Sequence, residues 1–107
     1  MSEAFKKEVL DQLREHGSDV TKPHSFGFYI YVPTELDAKK ATDKIRQSGF
    51  SCADVSRSAA GSSWLCLATK TLVPEKADLS DHARFFEQIA AALGGEFDGW
   101  EAEIVEI

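Results

Sequence analysis

The 107 residues carry 18 Asp and Glu against 12 Lys and Arg, for a net charge of −6, and 43% of them are apolar. Such a length and balance fit one globular domain spanning residues 1–107 with a single core, and exclude extensive disorder. An acidic surface repels phosphate backbones, whose capture rests on Lys and Arg, so a nucleic-acid partner would need a local basic patch. No stretch approaches the ~20 apolar residues of a membrane span. The start, Met1-Ser2-Glu3-Ala4-Phe5-Lys6-Lys7-Glu8, has no apolar signal core. Two cysteines, Cys52 and Cys66, are too few for a disulfide scaffold. A cytoplasmic protein with reduced thiols and no membrane partner is expected.

Phe5, Val9, Leu10 and Leu13 recur at helical spacing and predict a first helix from Glu3 to about His16, with Ser2 as its cap and Gly17 at its end. Phe26, Phe28, Ile30 and Val32 then alternate with Gly27, Tyr29 and Tyr31, the period of a strand, which Pro33 stops. Thr34 caps a second helix whose inward stripe is Leu36, Ala38, Ala41, Thr42 and Ile45. Phe50 to Ser56 is a weaker strand, and Ser58-Ala59-Ala60-Gly61-Ser62 a hairpin loop. Trp64 to Thr71 is a strand with two apolar faces, Leu65 and Leu67 on one and Trp64, Cys66 and Ala68 on the other. Asp78 or Ser80 caps a third helix with the stripe Leu79, Phe86, Ile89, Ala90 and Leu93, ended by Gly94-Gly95. Trp100 to Ile107 alternates as the last strand.

A helix followed by β-α-β-β-α-β is the split βαβ pattern. The fold class predicted is α+β: a ferredoxin-like antiparallel sheet with an extra N-terminal helix. Right-handed crossovers place the first and third strands at its centre.

Residues able to do chemistry are scattered. Nucleophilic catalysis needs Ser or Cys beside an oriented His, yet none of Cys52, Cys66, His16, His24 and His82 lies in a strained nucleophile turn. Cysteines in such strands pack as small hydrophobes. The spacing of Cys52, Cys66 and His82 matches no zinc signature. Gly94-Gly95 follows a helix, whereas a phosphate cradle opens one. Glu101 and Glu103 share a strand face, as a solvated edge that resists sheet-to-sheet pairing would have them. No catalytic residue, metal site or cofactor is expected, and binding is the function class that remains.

Tyr29 and Tyr31 suggest a surface. They share the strand face opposite the aliphatic stripe, where one RNA-recognition module stacks bases. That module's basic, glycine- and aromatic-rich third-strand motif is missing, since the segment reads Ser63-Trp64-Leu65-Cys66-Leu67-Ala68. Single-stranded RNA binding through Tyr29 and Tyr31 therefore stands as the alternative to a protein partner.

The run Gly94-Gly95-Glu96-Phe97-Asp98-Gly99-Trp100-Glu101 and the helix end Leu13-Arg14-Glu15-His16-Gly17-Ser18-Asp19 resemble the regulator of ribonuclease activity B family, as does the element order. The resemblance implies a non-enzymatic bacterial protein that binds ribonuclease E and inhibits its RNA cleavage. The best-known members carry a long acidic C-terminal tail, which these 107 residues do not include. Asp98-Gly99 is readable without the family as a turn or bulge that anchors Trp100 in the core. The binding residues expected are Tyr29, Tyr31, Asp98, Trp100, Glu101 and Glu103.

Overall fold

The alternation that predicts the first strand also builds the core. The computed structural model describes residues 2–52, 55–57 and 62–107, without the side chains of Ser2 and Glu3. Its elements are α1 (Ser2–Glu15), β1 (His24–Val32), α2 (Glu35–Gln47), β2 (Ser51–Cys52), β3 (Ser56–Arg57), β4 (Trp64–Leu72), α3 (Leu79–Ala92) and β5 (Glu96–Ala102). The protein is α+β, with three helices and an antiparallel five-stranded sheet among the described residues. The strands run in the order β2-β4-β1-β5, and β3 also pairs with β4.

Phe26, Phe28, Ile30 and Val32 are all buried on the face that α2 and α3 cover. Phe28 lies at the centre of an aromatic cluster, 4.9 Å from the Phe86 ring of α3 and 5.9 Å from both Phe26 and Phe50. α2 contributes Ala38, Ala41, Thr42 and Ile45, and α3 contributes Leu79, Ala83, Phe86, Ile89 and Ala90. α1 lies against α3, burying Val9 and Leu13. Lys6 ties it there, since its ammonium donates to the Glu75 and Ala77 carbonyls at 3.0 and 2.8 Å.

Several boundaries differ from expectation. β1 starts two residues early, at His24, because that histidine is buried in a hydrogen-bonded site. The second strand is two short pieces. Ser2, expected as the cap before α1, is already the first residue of that helix, and residues 58–61 of the expected hairpin loop lie outside the described residues. Leu36 is 62% exposed. The inward positions 38, 41, 42 and 45 define a helical face that does not include position 36. Thr34 does cap α2, accepting from the Asp37 N–H at 3.1 Å. Asp78 precedes α3 without a side-chain capping bond.

The largest shift is at the C-terminal end. β5 is Glu96–Ala102, not Trp100–Ile107. Tyr29 pairs with Gly99 but Ile30 with Phe97, so Asp98 is an extra residue in the ladder. This is a β-bulge. Gly99 has φ +123°, a backbone conformation that side chains disfavour. The bulge breaks the period-two pattern, which is why alternation alone located the strand late. Residues after β5 continue alongside the start of β1 and the loop before it: Glu103 N–H donates to the Ser25 carbonyl, Asp19 N–H to the Val105 carbonyl, and Ser18 bridges to Glu106.

Candidate functional site

The helices occupy one face of the sheet. Among the described residues no helix packs on the other face, and the register fixes what stands on it. Tyr31 is paired with Leu65 on one side and Glu96 on the other, and Tyr29 with Leu67 and Gly99. All four of Tyr29, Tyr31, Leu65 and Leu67 are only half-buried. They form an aromatic and aliphatic patch over the two central strands.

The bulge determines what borders this patch. In a regular strand, Glu96 and Glu101, five residues apart, would point to opposite faces. The extra residue Asp98 puts them on the same open face and turns Phe97 and Trp100 together toward the helices. The aromatic-Asp-Gly-Trp run thus has a physical purpose: two aromatic anchors three residues apart on the inner face. Phe97 packs on Phe86 at 5.9 Å, and Trp100 on Phe26 at 6.0 Å.

The carboxylates line the β5 side. The Tyr29 hydroxyl donates to Glu101 Oε1 at 2.6 Å, and this bond to a carboxylate holds the phenol above its usual pKa. The Ser25 N–H donates to Glu103 Oε1 at 2.9 Å. Between the two lies a shallow groove of about 370 Å³, lined by Ser25, Gly27, Thr69, Glu101 and Glu103. Gly27 forms its floor: a Cβ there would stand 3.2 Å from Glu101 Cγ and 3.2 Å from a Leu67 methyl.

The open-face positions of the described strands hold no Lys or Arg. Lys39, Lys40, Lys44 and Arg46 belong to α2, on the far side of the sheet. Arg46 is moreover engaged, its guanidinium donating to the Cys52 carbonyl at 2.7 and 3.0 Å. The basic patch that an RNA reading would need is not continuous with the tyrosines.

Of the six residues expected to bind, the structure brings Tyr29, Tyr31, Glu101 and Glu103 together on the open face. Asp98 is exposed in the bulge, at the sheet edge. Trp100 is on the inner face, half-buried against Phe26. Sequence reasoning did not include Leu65, Leu67 and Glu96 in the site. Alternation in the Trp64–Leu72 strand could have supplied the two leucines, but Glu96 required knowledge of the bulge.

One pairing with the look of chemistry also escaped the sequence. Ser18 Oγ lies 2.6 Å from His24 Nε2, and His24 Nδ1 lies 2.7 Å from the Lys22 carbonyl oxygen. A carbonyl only accepts, so Nδ1 carries a proton and donates to Lys22, and in a neutral ring Nε2 then accepts from the Ser18 hydroxyl. Ser18 Oγ in turn accepts the Val105 N–H at 2.8 Å. Both side chains are buried, and the chain of bonds fastens residues near 105 to the loop before β1.

Cys52 and Cys66 are buried free thiols on neighbouring strands of the inner face. The Cys66 thiol, with Thr42 and Arg46, pulls Cys52 down to about 6, while Cys52 and burial push Cys66 up. Among the described residues no three His, Cys, Asp or Glu side chains are placed to hold a metal ion. No helix of the described residues is long and apolar enough to cross a membrane.

The geometry is that of a small α+β domain whose sheet has helices on one face and acidic residues bordering the other. The sequence comparison narrows this. The family model for regulator of ribonuclease activity B matches residues 3–102, and the chain belongs to that family. No curated protein matches it in sequence.

Proposed function

We propose that the chain is a non-catalytic modulator that binds a ribonuclease of the E type through protein contact and lowers its cleavage of RNA, in the bacterial cytoplasm. The observation that carries this reading is the open sheet face. Tyr29, Tyr31, Leu65 and Leu67 offer the apolar centre, and Glu96, Glu101 and Glu103 the polar border, of a protein interface. Family membership supplies the ribonuclease. The β2-β4-β1-β5 order supports a ferredoxin-like sheet with an added first helix.

The alternative, single-stranded RNA stacked on Tyr29 and Tyr31, has the tyrosines in its favour. Against it, the Tyr29 hydroxyl is bonded to a carboxylate, so phosphates approaching that ring would meet negative charge. The test is a titration of the purified chain against ribonuclease E cleaving a fixed RNA, with direct binding to that RNA measured alongside. Saturable inhibition without RNA binding supports the proposal. Unchanged cleavage at micromolar protein removes the target.

A further inference from the structure

We infer that the open sheet face takes an extended, basic segment of the partner, with two cations at alternate positions seated on the β5 side and aliphatic or aromatic side chains laid over the tyrosines. This rests on the reading of the chain as a protein-binding modulator and goes further, to the chemistry of what binds.

Three observations carry it. The first is charge. Every ionisable carboxylate of the face is on the β5 side, at Glu96, Glu101 and Glu103, and the described open-face positions hold no cation to balance them. A partner of opposite sign lowers this field, while an acidic segment or a phosphate backbone raises it.

The second is valence. Glu101 accepts one bond from Tyr29 and Glu103 one from Ser25, in both cases through Oε1. The second oxygen of each has no partner among the described residues. Ionised carboxylates accept several bonds and make their strongest with Lys and Arg. The groove over Gly27 leaves room between them for the end of such a side chain.

The third is spacing. Glu103 continues the ladder past β5 by donating its N–H to the Ser25 carbonyl. Residues two apart along an extended chain are separated by about 7 Å. The side chains at i and i+2 of an extended partner have the same separation. Cations at those two positions meet Glu103 and Glu101. The next inward positions then fall over Tyr29–Leu67 and Tyr31–Leu65, where apolar side chains gain burial.

The probe is the synthetic peptide Arg-Ser-Arg-Ser-Leu-Ser-Leu, acetylated and amidated, added to the full chain with methyl-labelled leucines. The expected result is movement of the Leu65 and Leu67 signals with Leu36 unmoved, and affinity that falls as salt rises. Glu101→Gln with Glu103→Gln should weaken binding at least tenfold. Replacing both leucines of the peptide by serine should also weaken it.

A charge exchange separates lost contact from lost fold. Glu101→Lys with Glu103→Lys should bind the peptide carrying Glu in place of Arg, and no longer the parent peptide. Equal binding by parent and Gln variants overturns the inference, as does peptide-induced movement confined to helix signals. Tighter binding of oligouridylate to the same face, lost on Tyr29→Ala with Tyr31→Ala, would give the face to RNA. Ribonuclease inhibition undiminished in the Gln variant overturns the assignment of the face but keeps the ribonuclease. Peptide binding by a parent chain that inhibits nothing has the reverse meaning.

Discussion

The Tyr29 hydroxyl and the Glu101 carboxylate meet at 2.6 Å across two neighbouring strands, on the face that the helices leave open. The bond depends on the bulge at Asp98, which returns Glu101 to that face. It also ties the aromatic centre of the face to its acidic border.

That bond has a titration signature. Glu101 stabilises the protonated phenol, so Tyr29 ionises above its ordinary value of 10.0. The stability it contributes is present below pH 10 and is lost as pH rises through the higher folded value. Glu101→Gln should bring Tyr29 back toward its ordinary value. Ring-carbon NMR titration of Tyr29 reads this directly.

Phe28 tests the core. It is fully buried among Phe26, Phe50, Phe86 and Phe97. Phe28→Ala removes the ring and leaves a cavity, a change that costs about 3–5 kcal/mol. Urea unfolding followed by circular dichroism should show that loss, a large part of a typical ~5–15 kcal/mol stability. A variant nearly as stable as the parent would contradict the register of β1.

Two glycines near β5 should fail for different reasons. A Cβ at Gly95 would run into the Tyr31 carbonyl, which is backbone and cannot swing aside. Gly99 has open space around it but a φ of +123°. Gly95→Ala should cost at least the ~1–3 kcal/mol of an overpacked site. Gly99→Ala should cost about 1–3 kcal/mol from backbone strain alone. Because the bulge would shift, Gly99→Ala should also alter the Tyr29 titration, whereas smaller effects at both sites would contradict the turn geometry.

His82 predicts an acid-side loss of stability. Burial holds its imidazole below the ordinary 6.5, with Lys70 nearby acting in the same direction and Asp78 and Asp81 opposing. The ring stands edge-on to Phe50 at 5.1 Å. The unfolded chain takes up the proton first, so this stability is present above pH 6.5 and declines as pH falls toward the folded value. His82→Gln should flatten the decline between pH 7 and 5 in urea titrations.

Periodicity made the inner fold legible, because burial acts on every second residue of β1 and on every third or fourth of α3. Phe26 to Val32 and Leu79 to Ala90 were readable for that reason. Leu36 was misplaced because an apolar residue in the first turn of a helix resembles part of its stripe. The start of β5 was hidden because Asp98 shifts the phase of its own strand, although Asp98-Gly99 itself was recognisable as a turn or bulge. Tyr29 and Tyr31 were legible as a pair with a common face. Their neighbours Glu96, Leu65 and Leu67 depended on pairing register, which one strand cannot encode. The Ser18–His24 bond joins a loop to a strand end, and no local pattern signals it.

The central claim is that this open face is where the ribonuclease binds. Methyl NMR of the leucine-labelled chain, titrated with unlabelled ribonuclease E, tests it most directly, since Leu65 and Leu67 are on the face and the exposed Leu36 is on α2 across the sheet. The account predicts that the Leu65 and Leu67 signals shift or broaden at stoichiometric ribonuclease while Leu36 stays sharp. Broadening of Leu36 with Leu65 and Leu67 unchanged would contradict it.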